Sequence, residues 1–197
     1  MPHEKSDKVK VKVKRSREVK PFNELASANY VILDNAKQNR AGCFYEYLTS
    51  IMLSAFSFEA YLNQIGSKLF DYWDQMERLP WRNKMTIITA HLKLGIDQKR
   101  RPFKTISSLF KFRNMIAHCK PELLNTETIE EGNMEEIRRK KPLTEWENLC
   151  SLEFAQQAYD DVGKLVKMIH DKAGFSIDDL YNRVYGYEIN RNTSSPP

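Results

Sequence analysis

The chain has 197 residues, of which 41% are hydrophobic, so it is long enough for one domain with a buried core. Seven glycines and eight prolines are too few for a fibrous protein or for a β-protein with many turns. Eight of the 31 lysines and arginines, but only three of the 26 acids, lie in residues 1–20. The net charge of +5 therefore belongs to this N-terminal arm, and the remaining chain, with 23 charges of each sign, is neutral.

The arm at residues 1–20 alternates lysine with valine near its middle (KVKVKVK). This pattern is typical either of a disordered basic arm or of a short edge strand, and the composition favours the arm. A first helix is predicted over 23–38. A second, long helix is predicted over 42–70, because its apolar residues recur at steps of three and four. These residues are Phe44, Leu48, Ile51, Ala55, Phe58, Leu62, Ile65 and Leu69.

Three further helices are predicted after the long one, with proline and glycine at their limits. The helix after Pro102 runs to about residue 118 and is stopped by Pro121. Residues 120–146 are rich in charge and are interpreted as an exposed insertion, with a short hairpin around Glu131–Asn133 as a further hypothesis. The helices are expected over 81–94, 103–118 and 148–172, with a short additional helix over 176–184.

These elements predict an all-α bundle of four to five helices with one long exposed insertion, because no alternation of strands and helices is visible. The predicted organisation is a basic arm at 1–20, a helical domain at 21–185 that includes the insertion, and a disordered tail at 186–197.

The cysteine pattern gives no indication of disulfides or of a zinc site. Cys43, Cys119 and Cys150 are odd in number and far apart, which favours a reducing cytoplasm. The N-terminus lacks the apolar segment of a signal peptide, and the most apolar stretch is too short and too polar to span a bilayer. No cluster of His, Asp and Glu has metal-ligand spacing. We therefore expect a cytoplasmic protein with no cofactor, no metal and no membrane association.

The stretch KFRNMIAHCKP at 111–121 contains the candidate site. On a helical wheel, Arg113 falls about 20° from the centre of the apolar face of its helix. Asn114 and His118 lie along one edge of that face, at roughly 80–120°. A guanidinium that is always charged costs several kcal/mol to bury unless it meets an anion. Arg113 is therefore expected to face a buried carboxylate, or a phosphate in a cleft or interface.

Glu59 is the expected internal partner of Arg113. It lies roughly 70° from the centre of the apolar stripe on the long helix, and Asn63 follows one turn later on the same side. The pair Glu59 and Asn63 is predicted to meet Arg113 and Asn114 across a contact between two helices.

The sequence Arg113-Asn114-Met115-Ile116-Ala117-His118 resembles the R-x4–6-H motif of HEPN domains, which are all-α bundles. A polar residue directly after the arginine fits that family, and the resemblance covers roughly residues 25–172, with the basic arm and the insertion at 120–146 outside it. Many HEPN proteins are metal-independent ribonucleases that act as dimers, with two such motifs facing one cleft. A related toxin group has a tyrosine two residues after the histidine, where this chain has Lys120.

The resemblance implies an endoribonuclease with a role as a toxin or in defence, with RNA, a second copy of the chain, and an antitoxin or regulatory protein as partners. The residue types suit this chemistry. A histidine exchanges protons near neutral pH, as attack by the RNA 2′-hydroxyl requires. The fork of Arg113 matches phosphate oxygens, and Asn114 could hold a phosphate or orient His118.

A second hypothesis is a non-catalytic HEPN-like module that binds RNA or protein or dimerises. In it, Arg113 pairs with Glu59 for packing alone, and His118 complements the C-terminal end of its helix. His91 and His170 are interpreted as surface or capping residues, and the three tryptophans as packing anchors.

Overall fold

A computed structural model describes residues 11–38, 42–182 and 185–190 of the chain. The elements of these ranges, in chain order, are β1 (Lys12–Arg17), α1 (Pro21–Gln38), α2 (Phe44–Leu69), a 3-10 turn (Trp73–Gln75), α3 (Trp81–His91), α4 (Phe103–His118), α5 (Met134–Arg139), α6 (Glu145–Leu149), α7 (Leu152–Lys172), α8 (Asp178–Tyr181) and β2 (Tyr185–Asn190).

The long helix α2 lies at the centre of the bundle and contacts α1, α3, α4 and α7. Its predicted apolar stripe is buried from Ile51 to Ile65, because these side chains pack between the neighbouring helices. The prediction of an all-α fold is confirmed. No helix within the described ranges is both long and apolar enough to cross a bilayer.

A second face of α2, which carries small polar residues, is buried as well. Ser50 and Ser54 are fully buried beneath α1, where they bond to the buried Asn29. The amide nitrogen of Asn29 donates to Ser54 Oγ at 2.8 Å, and Ser50 Oγ donates to Asn29 Oδ1 at 2.7 Å. The small serine side chains leave room for α1, and the hydrogen bonds satisfy the buried polar atoms.

The two ends of the described chain form a two-stranded antiparallel ribbon, in which β1 pairs with β2. Of the two alternatives for the arm, Lys12–Arg17 forms the short strand and not the favoured disordered arm, and residues 186–190 of the predicted disordered tail are strand as well. The alternation of valine and lysine is a strand pattern, and β2 supplies the partner for its backbone hydrogen bonds. The beginning of the predicted arm, residues 1–10, and the end of the predicted tail, residues 191–197, lie outside the described residues.

The insertion at 120–146 is largely exposed. These described residues contain the short helix α5 and the start of α6, and no strand. The hairpin around Glu131–Asn133 is wrong, because Asn133 caps the first turn of α5 by accepting a hydrogen bond from the backbone of Glu135. The charge run that follows is helical, with Glu135 and Arg139 paired one turn apart. A second short helix, α6, packs against α4.

Candidate active site at the end of helix α4

Helix α4 ends in an exposed turn at His118. The backbone of Cys119 is extended, and Pro121 cannot continue the helix. Phe110 and Phe112 anchor the preceding turns, since both are fully buried. The imidazole of His118 is therefore held at the surface by the last turn of a helix whose preceding turns are anchored in the core.

Arg113 lies one turn before this end and bonds in two directions. Its Nη2 donates to Glu59 Oε2 at 2.9 Å, so the predicted contact with Glu59 is present. Its Nη1 donates to Asn114 Oδ1 at 3.0 Å. The guanidinium also lies 5.4 Å from the centre of the Phe110 ring, and the side chain is 25% exposed. Arg113 therefore connects the core to the surface residue Asn114.

Glu59 is shared with a second cation, Lys84 of α3. The Lys84 ammonium lies 3.8 Å from Glu59 Oε1, and its side chain is only 2% exposed. Burial lowers the pKa of Lys84, and the negative charge of Glu59 opposes that effect. One carboxylate thus faces two cations, and the charge of Glu77 also acts on Lys84.

Asn114 and His118 line the same open cleft, about 580 Å³ in volume, which we call the α4 cleft. Asn114 accepts a hydrogen bond from Arg113, so its amide nitrogen is left free to donate. His118 has no hydrogen-bond partner among the residues that the structure describes. The complete lining of the cleft is Lys111, Asn114, Met115, His118, Cys119, Lys120, Glu122, Glu145 and Trp146.

The far wall of the α4 cleft comes from α6, which the sequence analysis did not recognise as a helix. Trp146 packs against Phe44 with ring centres 6.0 Å apart, and Lys111 pairs with Glu145 at 2.5 Å. The signal for α6 is present in the sequence as a capping box, in which Thr144 and Glu147 bond to each other's backbone.

Asn63, the remaining predicted site residue, does not join this group. No hydrogen bond connects it to Arg113 or Asn114, and its buried Oδ1 has no protein partner within the described ranges. Asn114 bonds to Arg113 instead and turns toward the cleft. The structure thus brings together Glu59, Arg113, Asn114 and the exposed end of α4.

The α4 cleft combines an imidazole and an amide with charges of both signs. Lys111 and Lys120 line it together with Glu122 and Glu145, and Lys111 is paired with Glu145, so Lys120 is the lining cation with no ion pair among the described residues. His118 is the residue type in this lining that can exchange a proton near neutral pH. Among the described residues, no group of three or more His, Cys, Asp or Glu side chains is arranged to hold a metal ion.

Comparisons with family models, with curated proteins and with solved structures find no match to this chain.

Proposed function

We propose that the chain is a metal-independent endoribonuclease of HEPN type whose substrate binds in the α4 cleft. The observation that carries this proposal is that Asn114 and His118 line one open cleft while Arg113 holds Asn114 through a hydrogen bond. A proton-transfer group, an amide donor and a guanidinium thus occur within two turns of one helix, as phosphate chemistry without a metal requires.

In the proposed reaction the 2′-hydroxyl of RNA attacks the adjacent phosphorus. The bond between O2′ and phosphorus forms, and the bond from phosphorus to O5′ breaks. One group must take the proton from O2′ and another must give a proton to O5′. His118 performs one of these transfers and Asn114 donates to the phosphate oxygens, while Arg113, which does not line the cleft, holds Asn114 and adds its positive charge from behind it. The products are a 2′,3′-cyclic phosphate and a 5′-hydroxyl end.

A homodimer would supply the second proton-transfer group. Each α4 cleft contains one imidazole, and of its two lining acids Glu145 is paired with Lys111 and Glu122 is exposed to solvent. Two copies related by a two-fold axis would bring two His118 side chains to one substrate, one as base and one as acid. The expected partners are therefore RNA and a second copy of the chain.

A role as a toxin or in defence follows from the resemblance to HEPN domains, and it implies an antitoxin or other regulatory protein. We assign the activity to the cytoplasm, because no disulfide joins the described cysteines Cys43, Cys119 and Cys150. Expression of the active chain should slow growth of its host, and His118→Ala should relieve that effect.

The second candidate is a non-catalytic module that binds RNA or protein or dimerises. The observation that favours it is the ion pair between Arg113 and Glu59, which satisfies part of the guanidinium inside the bundle. In this case Arg113 stabilises the helix contact and His118 only complements the end of α4.

A cleavage assay in EDTA separates the two candidates. We expect the wild-type chain to cut single-stranded RNA, and His118→Ala to abolish cutting while circular dichroism and thermal unfolding stay unchanged. His91→Ala is the matched control, because His91 is also an exposed residue at the end of a helix. Absence of cutting by a folded wild-type dimer would favour the module.

A further inference from the structure

The β1–β2 ribbon presents a mixed aromatic and basic face. Its register places Arg15 opposite Tyr187, Arg17 opposite Tyr185 and Val13 opposite Ile189. Partners directly opposite each other share a face of an antiparallel pair, and so do residues two apart along one strand. Two tyrosines on β2 therefore lie beside two arginines on β1.

The aromatic residues of this face are open to solvent. Tyr185 is 60% exposed and Tyr187 is 74% exposed, and the neighbouring Ile189 is exposed as well. A shallow groove of about 370 Å³, lined by residues of both strands, runs over them. Large side chains exposed together in this way are typical of a binding surface.

The charge around the two tyrosines is positive. The Arg17 guanidinium lies 5.8 Å from the centre of the Tyr185 ring and pairs with Glu24 at 3.2 Å, which fixes it beside that ring. Arg15 has no ion pair among the described residues. Lys12 and Lys14 project from the opposite face of the same strand, where Glu188 lies opposite Lys14. The face with the two tyrosines therefore carries Arg15 and Arg17, which suits an anion that also has flat apolar rings.

We infer that the β1–β2 ribbon is a docking surface for single-stranded RNA, whose bases stack on Tyr185 and Tyr187 while Arg15 contacts the phosphates. This choice of ligand rests on the proposed ribonuclease function. Stacking of unpaired bases on aromatic side chains next to cations is the usual basis of sequence-tolerant binding to single strands.

The test measures binding alone, in a His118→Ala background in which cleavage plays no part. The probe is a fluorescein-labelled single-stranded RNA of roughly 16 nucleotides, near the upper site size of small single-strand binding folds. We expect Tyr187→Ala to weaken binding about tenfold and Tyr187→Phe to preserve it, because stacking needs the ring and not the hydroxyl. Tyr45→Ala is the matched control, since Tyr45 is also 74% exposed but lies on α2.

The salt dependence gives a second readout. Arg15→Gln should reduce the slope of log Kd against log salt by about 0.7, the value for one phosphate contact on a single strand. Tyr187→Ala should leave that slope unchanged. The proposal is overturned if the probe does not bind, if Tyr187→Ala binds as tightly as Tyr45→Ala, or if Tyr187→Ala changes only the oligomeric state. If the wild-type chain never cuts RNA but the variants bind with this pattern, the result would support RNA binding by the ribbon and reject the proposed ribonuclease activity.

Discussion

Glu59 is the residue that keeps two cations of the bundle in place. Its two carboxylate oxygens face Arg113 on α4 and Lys84 on α3. Without this carboxylate the buried Lys84 ammonium would lose its ion-pair partner and keep only the weaker effect of Glu77, while burial already lowers the pKa of Lys84 and disfavours its charged form. The same carboxylate restrains the guanidinium that bonds to Asn114, so the stability of the core and the geometry of the site are coupled.

Glu59→Gln should therefore lower the free energy of unfolding by about 3 kcal/mol, as expected when one partner of a largely buried ion pair is removed. Adding Lys84→Met should recover at least half of that loss, because a methionine of similar volume needs no counter-charge. Urea unfolding followed by tryptophan fluorescence measures both values. An unchanged urea midpoint for Glu59→Gln would show that the pair contributes nothing.

The sequence could predict the contact between Arg113 and Glu59, because both residues occupy apolar helix faces where a charge needs a partner. It could not predict that Asn63 makes no hydrogen bond to Arg113 or Asn114. Helical spacing gives the face on which a residue lies but not the point along two helices at which they make contact. Trp146 was recognised only as a packing residue, because its place in the cleft wall depends on the short helix α6.

At the scale of single elements, helix α2 contains Gly66 near its end. From the sequence pattern alone this glycine is expected only to weaken the helix. Gly66 lies beneath the Trp73 indole, and a Cβ at this position would overlap the ring. Trp73 is buried and stacks on Phe70 with ring centres 5.7 Å apart. The glycine therefore permits a close packing contact, which outweighs its poor helix propensity.

Gly66→Ala should destabilise the protein by about 1–2 kcal/mol, because the overlap with Trp73 exceeds the gain in helix propensity. Gly163→Ala is the control, since Gly163 also lies inside a helix but has open space around its missing Cβ. This second variant should stabilise by about 0.5–1 kcal/mol. Thermal unfolding of both variants is the measurement, and two changes of the same sign would contradict the packing explanation.

The helices were predictable because steps of three and four residues identify them locally. The inward serine face of α2 was not, since serines carry no apolar signal and are buried only because α1 packs there with Asn29. The strand pattern in β1 was visible in its alternation, but its partner lies about 170 residues away in the chain. Such long-range pairing is a tertiary effect that local patterns do not contain.

At the scale of the whole molecule, an ion pair connects the segment before α4 to α7. Arg101 donates to both oxygens of Asp161, at 2.6 and 3.0 Å, and Asp161 is buried. Burial would raise the pKa of Asp161, but hydrogen bonds from Arg101 and Thr105 outweigh it and the pKa is lowered. A carboxyl whose pKa is lower in the folded state stabilises the fold above its unfolded pKa of about 3.9.

This stabilisation should be lost as the pH falls through the folded pKa of Asp161. Removing the guanidinium by Arg101→Gln should raise that pKa, so acid unfolding should begin at a higher pH than in the wild type. Arg100→Gln is the control, because Arg100 pairs with Asp97 at the surface. Circular dichroism during an acid titration measures both, and coincident curves for the two variants would contradict the role of Asp161.

The most direct test of the proposed function is an analysis of the RNA ends produced by the chain in EDTA. We expect 2′,3′-cyclic phosphate and 5′-hydroxyl ends from an all-ribose substrate, and no products when the substrate carries 2′-deoxyribose throughout. His118→Ala should give neither end. Products with 5′-phosphate ends, equal cutting of the deoxyribose substrate, or unchanged cutting by His118→Ala would contradict attack by the 2′-hydroxyl assisted by His118.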